Sequence, residues 1–445
     1  MKILAFLIAW LLVAETGHSQ IIDPKRAARR AAENRANQKI DQGIDKGLDK
    51  VEEGIGSIFK KKGSKPTKSN EESSDSDAAA DRPNQKQESG PSGFSATGKF
   101  DFIPGERVIG FEDFSQDGLG DFPAKWNTNG SGTLSKLNDN PNKFLMTNSE
   151  TVFYPEFIKG LPDNFTVEFD LASTPEFSYY SGYFVIGFTS EPNIGKSWGS
   201  FKKYGNRRNN TKLTVELALH PTGAGGDQGM SVVNAVGGDQ EIVSNDLEQK
   251  VFATKGGKNN VHVSIWRQKG RLRVYLNESK IWDIPRAFGD GSEKINAIYF
   301  RNDGPGNDAQ QFFVGNVRVA VGAPDTRSKL ITEGKFVTTG ILFDVNSDKI
   351  KGESYGVLKD IANVLSENAT VRVKIIGHTD SDGDEAANLS LSKKRAEAVK
   401  KALSSEFGIA ESRMSTEGKG ETQPAADNTT PEGKANNRRV EFIKQ

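Results

Sequence analysis

The chain has 445 residues, enough for two or three domains with sizeable cores. Its 59 Lys+Arg balance 59 Asp+Glu, so no overall field draws it to nucleic acid or anionic lipid, and no nucleic-acid partner is expected. It has no cysteine, which excludes disulfides, thiolate catalysis, cysteine-based metal sites and lipid attachment through an N-terminal cysteine.

Residues 1–19 read as a secretory signal. Lys2 supplies a positive start, 3–14 is an apolar run, and Gly17-His18-Ser19 offers small residues before Gln20. The run is shorter than the roughly 18–20 residues needed to span a membrane. An exported chain is therefore expected. Asp23-Pro24 suits an N-cap and first helical position, and 23–59 is predicted to be a helix. Ile40, Ile44, Leu48, Val51, Ile55 and Ile58 form one stripe at spacings of three and four. That stripe suits cover for a neighbouring surface, self-association, or contact with a membrane surface. Residues 60–98 hold charge, Ser, Pro and Gly with almost nothing to bury, and read as a disordered linker. Fully stretched, such a segment reaches roughly 130 Å.

From 99 to 323 the character changes. Runs at 166–171, 183–188, 213–219, 261–266, 272–276, 297–300 and 312–319 alternate apolar and polar residues between Gly, Asn, Asp and Pro. This predicts an antiparallel β-sandwich. Arg267-Gln268-Lys269-Gly270 separates two runs as a hairpin, and 111–114 is expected beside 312–319. The strand pattern and the segment 274–284 resemble concanavalin-like jelly-roll domains. Trp126, Trp198, Trp266 and Trp282 lie here, and Tyr179, Tyr180 and Tyr183 crowd one stretch. Aromatic platforms suit sugars, but packing is the commoner fate of such rings. Glu168 and Asp170 share a strand face, yet the third carboxylate of the jelly-roll glycanase pattern ExDxxE is missing. Asp113, Ser115, Asp117 and Gly118 imitate the start of a calcium loop, but Ala124 stands where a Glu is required, so a turn is expected.

Residues 329–445 form the third unit. Strands are predicted at 335–343, 371–375, 413–419 and 438–443, with helices at 355–365 and 389–407, the second stopping at Gly408. That order implies an α+β domain, a mixed sheet with both helices on one face. Between the second strand and second helix stands Gly377-His378-Thr379-Asp380, with Arg395 fifteen residues after Asp380. A carboxylate at a strand tip and a guanidinium in the next helix can converge on one small zwitterion. Asn388 stands where an N-cap would open the helix, whose free N–H groups favour a carboxylate. The competing reading is a plain Asp380–Arg395 pair. His378 is taken as a packing residue, because no Ser or Cys nucleophile accompanies it.

These residues belong to a longer ordered series: Phe343-Asp344-Val345-Asn346, Gly383, Leu391-Ser392, Ala396, Gly418-Lys419-Gly420-Glu421, Pro424, Asn428-Thr429, Gly433 and Asn437-Arg438-Arg439-Val440. The series resembles the OmpA C-terminal family, shared with the peptidoglycan-associated lipoprotein, over about 335–444. The resemblance implies binding of the free amino-acid end of diaminopimelate in peptidoglycan. Asp380 would take the ammonium, Arg395 would hold the carboxylate as a bidentate pair, and Asn346, Asp382, Asn388 and Arg438 would line the pocket. That family often carries an eight-stranded membrane barrel before this domain, but runs of five to eight residues fall short of the roughly 9–11 a spanning strand requires.

The expected function is a non-enzymatic envelope protein with neither cofactor nor metal. It would bind peptidoglycan and tether a sandwich that binds glycan or protein. The alternative is a glycan-active enzyme in the sandwich, anchored by the last domain.

Overall fold

Alternation in the middle of the chain produces two antiparallel sheets. The computed structural model describes residues 100–445 apart from 139, 203–211, 224–225, 227, 238–239, 305–308, 323–324 and 327. The expected signal segment, the 23–59 helix and the 60–98 linker lie outside the described residues. The first sheet runs in the order β13 (Ser279–Ile284), β12 (Arg271–Leu276), β11 (Asn260–Gln268), β6 (Asn164–Ser173), β15 (Phe312–Val321), β4 (Lys143–Thr147) and β3 (Gly132–Lys136). Strand β1 (Arg107–Glu112) joins it beside the second half of β15. The second sheet runs β10 (Gln240–Gln249), β9 (Gly229–Gly237), β8 (Thr214–His220), β7 (Phe184–Thr189), β14 (Ala297–Asn302), β5 (Thr151–Pro155) and β2 (Trp126–Thr128).

Inward-facing residues of both sheets meet in one core, among them Phe153, Phe165, Phe169, Phe184, Phe188 and Phe300. Phe153 and Phe300 stack with centroids 5.5 Å apart. The described strands therefore form two sheets packed over one apolar core rather than a closed barrel. The hairpin at 267–270 forms as expected, with Gln268 opposite Arg271 and Lys269 at φ 52. The predicted neighbour of β15 is also found, shifted toward the N-terminus. β1 ends at Glu112, and Phe114 leaves it at φ 58 to enter the core.

The C-terminal fold is a four-stranded mixed sheet in the order β16 (Lys335–Thr338), β19 (Val440–Lys444), β17 (Val373–His378), β18 (Met414–Gly420). Only β17 and β18 are parallel. Helices α1 (Tyr355–Glu367) and α2 (Glu385–Ser405) cover one face. Val357, Ile361 and Leu365 of the first, and Ala396, Val399 and Leu403 of the second, share a core with Phe336, Val373, Ile375 and Phe442. Gly408, at φ 69, terminates α2 as expected. A third short helix, α3 (Pro431–Asn437), has no counterpart in the expected series. The expected strand 335–343 stops at Thr338. Residues 339–343 leave the sheet because Gly340 lies against Pro104 and Val357, where a Cβ would approach to 2.9 Å.

Residues Ser89–Gln445 fall in one compact unit. The outer face of the first sheet is covered by residues 100–105 and by the C-terminal fold. Phe102 packs edge-on against Trp266 and Tyr275, and the Tyr275 hydroxyl donates to Asp101 at 2.8 Å. Gly356 of α1 lies where a Cβ would meet the Phe102 carbonyl at 2.1 Å. Asn436 of α3 pairs with both backbone groups of Val108, accepting from its N–H at 3.1 Å and donating to its carbonyl at 2.9 Å. An amide thereby imitates a neighbouring strand. Asn436→Ala is expected to lower stability by about 1–3 kcal/mol by orphaning both groups, which thermal unfolding of the full chain would register.

Candidate functional site

The site grows from the way α2 lies across the tips of β17 and β18. A Cβ at Gly377 would meet the Ser392 carbonyl at 2.1 Å, and one at Gly418 the Lys393 nitrogen at 2.5 Å. Absence of side chains there lets the helix backbone touch the sheet, which brings Arg395 within reach of the strand end. Thr379 N donates to the Gly420 carbonyl at 3.0 Å, tying the strand tips together just before Asp380.

Between Asp380 and α2 the loop is braced internally. Asp384 caps the helix, its Oδ1 accepting from Ala387 N at 3.0 Å. Asn388 is therefore not the N-cap. It is buried in the first turn and its amide donates to the Asp382 carbonyl (3.0 Å), the Asp380 carbonyl (3.4 Å) and Glu421 Oε2 (2.6 Å). Its place is to hold the loop that carries Asp380. Asp382 points outward and pairs with Lys434 Nζ at 2.6 Å. Asn346 is exposed at φ 53 on the 343–350 loop, and no contact brings its side chain to the cleft. Its neighbour Ser347 contributes instead, its carbonyl accepting from Arg395 Nε at 3.0 Å.

Asp380 and Arg395 do not pair with each other. Asp380 is 8% exposed and its Oδ2 accepts from Arg438 NH1, while Oδ1 receives Asp382 N at 3.3 Å. Arg395 lies over the Phe343 ring, 4.9 Å from its centroid. A cleft of about 120 Å³ opens here, lined in part by Phe343, His378, Arg395, Arg438, Phe111 and Arg318. Of its arginines, Arg438 is matched by Asp380, Arg439 by Glu441 and Arg318 by Glu168. Among the described residues no carboxylate forms an ion pair with Arg395. Burial pushes its pKa down, the Asp380 carboxylate opposes that fall, and the Arg438 charge adds to it. An incoming anion relieves such a guanidinium, which stays protonated at neutral pH.

Burial, with the Arg439 charge adding to it, lowers the pKa of His378 to about 4, so its imidazole is neutral at neutral pH. Neither ring nitrogen has a hydrogen-bond partner among the described residues. Nε2 is 3.4 Å from Glu441 Oε1 without the alignment a hydrogen bond needs. Packing explains this histidine only in part, because it also lines the cleft.

In the sandwich, Glu168 and Asp170 are committed to other charges. Asp170 Oδ1 lies 2.7 Å from His262 Nδ1, and Glu168 is bonded to Arg318 and lies 3.7 Å from His262 Nε2. The imidazole is raised to about 10 against the cost of its burial, because both carboxylates favour its charged form. Trp126, Trp266 and Trp282 are buried, while Trp198 is half-buried against Tyr154. Tyr179 and Tyr180 form an exposed edge-on pair with centroids 5.5 Å apart. The 113–124 segment is a turn in which Asp113 Oδ1 accepts from Ser115 N and Asp117 Oδ1 from Ala124 N.

The C-terminal fold is thus a helix-covered mixed sheet with an acid just past one strand tip and an arginine in the following helix. Residues 342–438 match the OmpA family, and that segment is an OmpA C-terminal domain. Outer membrane porin F of Pseudomonas aeruginosa is 41% identical over 105 residues, which are 24% of this chain and 30% of that protein. The probable lipoprotein YiaD of Escherichia coli is 43% identical over 102 residues, 23% of this chain and 46% of its own length. The chain thus spans less than half the length of either relative. The solved peptidoglycan-associated lipoprotein from Burkholderia pseudomallei is 27% identical, covers 27% of this chain and 98% of that structure, and has a TM-score of 0.24.

Proposed function

We propose that the chain is a non-enzymatic, exported envelope protein that grips peptidoglycan through the diaminopimelate of the stem peptide. In this reading Arg395 takes the carboxylate through its two terminal amino groups, and Asp380, held by Arg438, accepts from the ammonium through its remaining lone pairs. Asn388 fixes the loop between them. The observation that carries the reading is Arg395: it is partly desolvated, forms no ion pair with a carboxylate among the described residues, feels the Asp380 charge, and lines an open cleft together with Arg438, the partner of Asp380. The match of 342–438 to the OmpA family supports it, as does the likeness to proteins named for the outer membrane. The sandwich would present its exposed Tyr179–Tyr180 pair to a glycan or an envelope protein. The 23–59 helix would reach a second partner or a second copy, and the site of action would be the periplasm.

Each charge-assisted contact supplies about 1.5–3 kcal/mol. Asp380→Ala and Arg395→Ala should therefore each weaken retention on purified sacculi by about ten- to a hundredfold. Co-sedimentation measures this. Equal retention of both variants and the wild type would refute the reading.

A further inference from the structure

Strand β1 of the sandwich runs past the rim of this cleft. Phe111 faces it, with the Arg438 guanidinium carbon 5.3 Å from the centre of its ring. Its cross-strand partner is Arg318, which lines the same cleft. The backbone of Val108, three residues before Phe111, is held by Asn436, two residues before Arg438. The segment that carries Arg438 is thus fixed to the sandwich at two points.

Both arginines beside Asp380 rest on phenyl rings, Arg395 on Phe343 of the C-terminal fold and Arg438 on Phe111 of the sandwich. The Arg438 side chain is 38% exposed. An ion pair that exposed contributes little when its arms are free, because ordering them offsets the attraction. A ring against one face of the guanidinium removes that freedom and sheds water from the pair.

We propose that the wall-peptide site is shared between the two folds, with Phe111 as a positioning residue that holds Arg438, and through it the Asp380 carboxylate, ready for an ammonium. This rests on the reading under Proposed function and deepens it: the sandwich becomes part of the grip rather than freight attached to it. Arg318 closes the same side of the cleft, held by Glu168 and by a 2.6 Å bond to Thr339 Oγ1. The unpartnered nitrogens of His378 in its lining suit a polar occupant.

The test is calorimetric titration of the full chain with two soluble stem tripeptides. One ends in diaminopimelate, and the other in lysine, which keeps the ammonium and lacks the second carboxylate. Wild type should prefer the first peptide, and Arg395→Ala should lose that preference. Phe111→Leu should weaken both peptides alike, by about fivefold, because the ammonium end is common to them. Phe111→Tyr should restore binding. In an Arg438→Ala background Phe111→Leu should add nothing, a result that general loosening of the fold does not produce. Wild-type affinity in Phe111→Leu, or the same loss with and without Arg438, overturns the proposal while leaving the site intact. No difference between wild type and Arg395→Ala overturns the site reading and this inference with it.

Discussion

Arg318→Met is expected to destabilise the chain by about 3–5 kcal/mol, a large effect for a single substitution. Arg318 lies where three parts of the structure meet. One terminal nitrogen bonds Glu168 of β6, and the other donates to Thr339 Oγ1 of the C-terminal fold at 2.6 Å. Glu168 is 2% exposed, and the arginine's charge is what holds its carboxyl below the usual range against burial. Methionine fills similar space without the charge and leaves that carboxylate with only His262. The double variant Glu168→Gln/Arg318→Met should recover much of the loss, because a neutral pair has far less to desolvate. Urea unfolding of the two single variants and the double variant measures the coupling. If the single losses simply add, the charges do not sustain one another.

Stability should peak near pH 6.5 and fall on both sides, with a different histidine responsible for each arm. His262 titrates near 10 in the folded chain and near 6.5 unfolded. A raised basic group stabilises fully below the unfolded value and loses that contribution as pH climbs through the folded one. At about 1.4 kcal/mol per pH unit, the alkaline arm amounts to on the order of 5 kcal/mol at most. His378 works in the opposite direction. Burial and Arg439 depress it to about 4, so its contribution is present above 6.5 and lost as pH falls toward 4. Glu168 and Asp170 are lowered too, and their contributions fail only at still lower pH. His262→Gln should flatten the profile between pH 6.5 and 10; His378→Gln should flatten it between 6.5 and 4 and leave the alkaline arm in place. Thermal unfolding at pH 4, 6.5 and 10 decides. An alkaline arm that survives in His262→Gln would show that another group controls it.

Much of this architecture could be read along the chain because it rests on local periodicity. Strands β11 and β12 alternate in burial at their starts, whereas β7, β8 and β14 are buried on both faces and are marked by short apolar runs between turn residues. Strand β10 eluded that reading: Gln240–Gln249 is a polar, largely exposed edge strand, registered only by pairing with β9. The 335–343 run is expected to form one strand, yet the chain leaves the sheet at Thr338 to meet Pro104, a residue more than two hundred positions away. Asn388 has the chemistry of an N-cap, but Asp384 four residues earlier takes that place and frees the amide to brace the loop.

From the chain itself came the residue types a zwitterion needs, Asp380 at a strand tip and Arg395 in the following helix. Short-range spacing is enough to specify those. Which charges neutralise one another was settled only by the folded arrangement: Asp380 with Arg438, Arg318 with Glu168, and Arg395 left without a carboxylate among the described residues. So was the arrival of Phe111 against Arg438, from a separate fold. Such pairings join residues dozens to hundreds of positions apart, and sequence spacing carries no information about which of many compatible charges and rings will meet.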